Sequence, residues 1–168
     1  QIKSAMENWG LVTYREVYLL VEEGKSSKNA KTFISLIVGH ELAHMWFGNL
    51  ATMKWWTDLW LKEGFATYCE YLFVAHQYPE YKIWMTFANA EIGRAFGLDA
   101  LKSSHPIEVP INNPNELEEI YDGISYSKSS TIIGMLRHYV GDDAFQKATA
   151  AYLQRFQYSN AETANLWD

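Results

Sequence analysis

The chain has 168 residues, 48% apolar and 15% aromatic, with a net charge of −6 at neutral pH. That is enough for one domain with a sizeable core. The acidic balance argues against a nucleic-acid partner, and no apolar run approaches membrane-spanning length. Seven tryptophans and eleven tyrosines predict large buried or groove-lining surfaces.

In chain order, Leu11 to Leu20 is rich in β-branched and aromatic residues and predicts a strand. Residues 22 to 31 are polar and carry Gly24, Ser26 and Ser27, which predicts a loop. A helix follows from about Thr32 to about Gly48. Thr57 or Asp58 is placed to cap a second helix that runs to about Gln77. Pro79 breaks it and can start another, over 80–101. Pro106 and Pro110 mark residues 102–113 as extended loop. Asn113-Pro114-Asn115-Glu116 has the order of a helix start, with Asn as cap and Glu at the capping-box position. Gly123 to Ser127 predicts a break, Ser129 to Val140 a helix closed by Gly141, and Asp142 the cap of a last helix to about Phe156. The sum is one short β element at the amino terminus followed by mostly helix: an α+β, mostly helical chain.

The first long helix carries the chemistry. His40-Glu41-Leu42-Ala43-His44 places two histidines four residues apart, on one helix face and one turn from each other. Two imidazoles so placed can share one metal ion, with Glu41 beside the open position as general base. Glu63, eighteen residues after His44, is a candidate third ligand on the next helix. Two His and one Glu leave a fourth tetrahedral position for water, the arrangement of a catalytic zinc. A bare motif of this kind also arises by chance. Here Ile34, Ile37, Val38, Leu42, Met45 and Trp46 predict a buried helix, in which two histidines and a glutamate are costly unless ligated or paired. Phe47 and Leu50 stand where a metzincin needs Gly and His, so that zincin type is excluded. Cys69 has no partner in the chain and reads as packing; one free cysteine fits a reducing compartment. His76, His105 and His138 read as packing, caps or surface.

Ser4-Ala5-Met6-Glu7-Asn8-Trp9-Gly10, His40 to His44, Glu63-Gly64-Phe65-Ala66 and Ile124-Ser125-Tyr126-Ser127-Lys128 occur in the order and spacing of the gluzincin zinc aminopeptidases. Together with Trp46 to Leu50 and Ser104 to Ile107, the match spans essentially the whole chain, and it resembles the puromycin-sensitive aminopeptidase branch. The resemblance implies part of a thermolysin-like zinc metallopeptidase catalytic domain over residues 1–168. It implies one Zn2+ held by His40, His44 and Glu63, and Glu41 as the base acting on a zinc-activated water. The Ala5-Met6-Glu7-Asn8 stretch becomes substrate-binding, with Glu7 anchoring the free α-ammonium group of a peptide. Tyr126 becomes the donor to the oxyanion. The residues alone leave Tyr126 as packing and Glu7 as a solvated edge-strand charge.

The chain opens on Gln1 and ends at Asp168 without a terminating feature, so it reads as an excerpt of a longer protein. In the family a β-rich amino-terminal domain and a helical carboxy-terminal domain would flank it. The implied compartment is the cytoplasm, although related branches are membrane-anchored ectoenzymes. Three positions depart from the family pattern: Ser4 and Ser129 stand where Gly is usual, and Lys62 where Asn is usual. Asp122 and Tyr121, one turn before Tyr126, are candidates to support it. The expected activity is aminopeptidase. The alternatives are a thermolysin-type zinc endopeptidase, which makes Glu7 irrelevant, and an inactive zinc-binding interaction module, which has no need of Glu41 or Tyr126.

Overall fold

The computed structural model describes residues 4–168. Its centre is a helix, α2 (Trp60–Gln77), whose residues 60 to 68 are all buried. A helix apolar on every side is covered on every side. It packs against α1 (Lys28–Ala43), α3 (Ile83–Phe87) and α6 (Ser129–Val140). Trp60, Leu61, Phe65, Tyr68, Tyr71 and Val74 form the core with Leu36, Phe47, Ile83, Phe87, Ile133 and Tyr152 around them. A smaller cluster of Leu59, Ile111 and Ile120 fastens the loop over 102–113 to the start of α2, and the Trp55 indole N–H donates to the Ile111 carbonyl at 2.6 Å.

Among the described residues the β structure is two small sheets. β1 (Ala5–Met6) pairs antiparallel with β2 (Thr13–Tyr14), with Ala5 opposite Tyr14. β3 (Ala51–Met53) pairs in parallel with β4 (Ser159–Ala161), Ala51 opposite Ser159. The expected ten-residue strand is therefore shortened to Thr13–Tyr14, and Glu16–Tyr18 turns as a 3-10 helix. β1 offers only two residues to pair with. Leu11, Val17 and Leu20 lie 65–71% exposed, so no buried face sustains the strand. Three-residue strands such as β3 and β4 leave no periodic signal in the sequence.

Other boundaries move for local reasons. α1 begins at Lys28 because the Ser27 hydroxyl caps it, accepting from the Ala30 N–H at 3.1 Å. It ends at Ala43, not near Gly48. The apolar face expected of the longer helix is also narrower than its composition predicts, since Leu42, and Trp46 in the turn beyond α1, are about half exposed. Asp58 does not cap α2; its Oδ1 accepts from the backbone and hydroxyl of Thr163 instead. After Pro79–Tyr81, Lys82 adopts a left-handed φ of 50° and the next helix starts at Ile83. That helix passes through a π-helical segment, Ala88–Ile92, into α4 (Gly93–Asp99). Asn113 caps as expected, accepting from the Asn115 N–H at 3.0 Å, and leads through Pro114–Glu116 into the single turn α5 (Leu117–Ile120). The expected break at Gly123 to Ser127 is a π-helical segment, Ile124–Lys128, that runs directly into α6. Gly141, at φ 86°, ends α6 before α7 (Asp142–Arg155), and α8 (Thr163–Trp167) closes the chain.

One close approach governs the α2–α6 crossing. A Cβ at Gly64 would meet the Ser129 Cβ at 2.8 Å and Ile133 Cδ1 at 3.2 Å. Ser129 is fully buried, with its hydroxyl bonded to the Ser125 carbonyl, so it cannot swing aside. Gly64→Ala is expected to destabilise the protein by about 1–3 kcal/mol, an overpacking penalty. Urea denaturation checks this; an unshifted midpoint would mean that the crossing relaxes freely.

Candidate metal centre

α1 and α2 lie side by side, and their facing turns bring His40, His44 and Glu63 together. His40 Nε2 and His44 Nε2 are 3.1 Å apart, and each is 3.3 Å from Glu63 Oε2. A tetrahedral zinc with ligand distances of about 2.0–2.1 Å sets its donor atoms about 3.3–3.4 Å apart. The triangle has that size.

The tautomers fit as well. The Phe47 carbonyl can only accept, so His44 Nδ1, at 3.0 Å, carries the proton. His40 Nδ1 lies 2.8 Å from Glu70 Oε2 and donates to that carboxylate. Both rings therefore turn a bare Nε2 lone pair toward Glu63, a donor set made for a cation. The charges agree. Burial works against positive charge on His40, but Glu63 and Glu70 outweigh it and lift its pKa up to about 10. A metal cation meets the same demand with no proton on Nε2. Burial pushes Glu63 upward, yet the two imidazoles and Lys62 hold it well below the usual carboxylate range.

The triangle opens on a cavity of about 740 Å³ lined by Glu7, Glu41, Tyr126 and the three candidate ligands, among others. Glu41 is buried, and its Oε2 has no protein partner. Burial raises its pKa, and the charges of Glu7 and Glu63 add to that against the opposing His40 and His44. The Tyr126 ring stacks on His40 with centroids 6.1 Å apart. Burial first, and then the charge of Glu63, keep its hydroxyl protonated far above the usual range.

The amino-terminal stretch divides. Ser4, Ala5 and Glu7 line the cavity; Met6 and Asn8 are not among the lining residues, and Asn8 is exposed. Glu7 is 8% exposed rather than a solvated edge charge. The Asn49 amide, just past α1, holds its carbonyl at 2.8 Å.

Three supporting residues were not assigned from sequence, and a fourth was marked there only as a departure whose charge could bear on the surroundings of the zinc. Glu70 had a signal, since it lies two helical turns after Glu63 on one face of α2. Glu91 had none: it accepts from Tyr71 at 3.1 Å and from Ser127 at 2.6 Å, and the π-helical turn over 88–92 carries it. His105 proves to hold Asp122, Nε2 to Oδ2 at 2.9 Å, and Asp122 Oδ1 accepts from the N–H groups of Ile124 and Ser125. Asp122 thus fixes the turn that carries Tyr126. The fourth is Lys62, whose ammonium lies 2.5 Å from Glu7 Oε1 and 3.3 Å from Glu63 Oε1. His76 and His138 are exposed on the far ends of their helices, and Cys69 packs against the core with its thiol pushed up to about 12 by burial.

If Glu70 orients His40, Glu70→Gln should weaken zinc binding about 10–100-fold. Competition with a chromophoric chelator reads this directly, and an unchanged affinity would remove Glu70 from the site.

Residues 2–168 match the Peptidase family M1 domain. The chain is 61% identical, over 97% of its length, to a puromycin-sensitive aminopeptidase of Caenorhabditis elegans. It is 53% identical to aminopeptidase M1-D of Oryza sativa subsp. japonica, over 97% of its length. It is 48% identical to the alanine/arginine aminopeptidase of Saccharomyces cerevisiae, over 98%. It spans 17–19% of the length of these relatives.

Proposed function

Since this chain belongs to peptidase family M1, we propose that it carries the metal centre of a zinc aminopeptidase that removes single residues from peptides with a free amino terminus. The observation that carries the reading is one cavity holding both the His40, His44 and Glu63 donor set and a separate, buried carboxylate, Glu7. An exopeptidase must measure the distance from a charged amine to the first peptide bond, and a fixed carboxylate beside the metal does so. An ion pair with Glu7 in a water-poor cleft is far stronger than in bulk, and it aligns the first carbonyl over the site. The cavity suits a cationic end: among the described residues its lining carries Glu7, Glu41, Glu63, Glu70, Glu91, Glu118 and Asp122 against the single cation Arg94, besides the imidazoles.

His40, His44 and Glu63 would hold the zinc, which when bound would supply a Lewis acid for the water and the scissile carbonyl. Glu41, its carboxyl raised by burial, accepts a proton from the attacking water and passes it to the nitrogen of the departing amine. Tyr126, protonated throughout, donates to the oxygen that gains negative charge. Asp122 and His105 hold the turn from which it acts. The free Cys69 thiol suits a reducing compartment, and we assign the protein to the cytoplasm on that ground together with its resemblance to the puromycin-sensitive branch.

On the full-length protein, cleavage of a leucine arylamide that a chelator abolishes, with none of the N-acetylated form, is the expected result. Equal cleavage of both would make the protein an endopeptidase. Cleavage of neither with zinc bound would make it a binding module. Glu41→Gln is expected to lower kcat about 10²–10⁴-fold with zinc retained, and Tyr126→Phe about 10²–10³-fold, both read by steady-state kinetics beside metal analysis.

A further inference from the structure

Lys62 is a buried cation wedged between two carboxylates. Its ammonium is 2.5 Å from Glu7 Oε1 and 3.3 Å from Glu63 Oε1, and the Lys62 and Glu7 side chains are each 11% exposed. Its stem is fixed: a Cβ at Gly48 would meet Lys62 Cβ at 3.2 Å and Cδ at 3.3 Å, so the turn after α1 lies directly on it. Glu7 lines the cavity, whereas Lys62 is not among the lining residues. The lysine therefore reaches Glu7 from the protein side and leaves the cavity side of the carboxylate to a ligand. Burial works against its charge, but the neighbouring Glu63 and Glu7 carboxylates outweigh burial and favour the ammonium form.

We propose that Lys62 is a positioning residue that sets how tightly Glu7 holds the ammonium group of a substrate. It orients the Glu7 carboxylate and offsets part of its charge, so an incoming ammonium must share that carboxylate with an internal cation. Two like charges on one carboxylate oppose each other, and the low-dielectric setting makes that opposition felt. The site is thereby tuned toward weaker amine capture and faster release, since an amino-acid product carries the same ammonium group. The inference rests on the aminopeptidase reading and adds the residue that sets the strength of its anchor.

The test is calorimetric binding of leucinamide and of N-acetyl-leucinamide to the zinc-loaded, full-length protein in a Glu41→Gln background, which holds zinc without cleaving the leucinamide bond. Lys62→Gln keeps a donor and removes the charge. It is expected to tighten leucinamide about tenfold, within the range of a close charge pair, and to leave N-acetyl-leucinamide unmoved. In a Glu7→Gln background the same substitution should have no effect, because a residue acting through Glu7 has nothing left to act on. Unchanged or weaker leucinamide binding, an equal shift for both ligands, or an effect that survives Glu7→Gln overturns the proposal. So does loss of zinc from both Lys62→Gln and Lys62→Asn, which would tie the lysine to Glu63 alone. The premise fails separately: a Glu41→Gln protein with Lys62 and Glu7 intact that does not prefer leucinamide to its acetylated form has no amine anchor at Glu7.

Discussion

Burying Glu63 is the constraint on which the arrangement turns. A carboxylate in the fully buried stretch of α2 is costly to desolvate, and it is tolerated because three positively inclined groups converge on it. His40 and His44 approach from α1 and Lys62 from the preceding residue of its own helix. That convergence dictates how closely the helices pack. A Cβ at Gly39 would press on Phe73 and the Glu70 backbone, and one at Gly64 on Ser129. Both glycines are adjacent to candidate ligands, so the places where the backbones come closest are the places where donor atoms must meet.

Around this centre the two candidate imidazole ligands and the turn that carries Tyr126 are held by further groups set in the packed interior. Glu70 and the Phe47 carbonyl fix the two imidazoles through their Nδ1 atoms. In the buried segment that carries Tyr126, the hydroxyls of Ser129 and Ser130 donate to the Ser125 and Ser127 carbonyls, Ser125 donates back to the Ile120 carbonyl, and Ser127 donates across to Glu91. A π-helical turn widens the backbone there, a device often found where a side chain must be aimed at a site. Asp122 caps that turn and His105 braces Asp122, which links the extended loop over 102–113 to the cavity wall.

The buried charge pair of Lys62 and Glu7 belongs to the same logic. The amino-terminal strand pair is small and nowhere fully buried, and a two-residue ladder cannot by itself fix a carboxylate deep in a cavity. Glu7 is fixed instead from the helical side, by Lys62 on its carboxylate and Asn49 on its carbonyl. An ion pair between α2 and the first strand thus sets the distance between the candidate amine anchor and the metal centre.

The sequence by itself determined the elements with strong local causes. The turn spacing of His40 and His44, the Pro79 stop, the Asn113 cap and the Gly141 terminator are written in a few neighbouring residues, and the helices follow from them. The pairing of Glu63 with the two histidines was legible as a spacing. Glu7 and Tyr126 were legible only through family resemblance, because a lone glutamate or tyrosine carries no local signal. Tertiary structure alone decided the rest. It cut the first strand to two residues for want of a partner and left Leu42 of α1 and Trp46 of the turn after it about half exposed. It also turned an expected helix break into a π-helical turn, and it brought Lys62 against Glu7 across 55 positions of sequence. Such outcomes depend on which surfaces meet and how much charge the interior must neutralise, and contacts between distant residues set both.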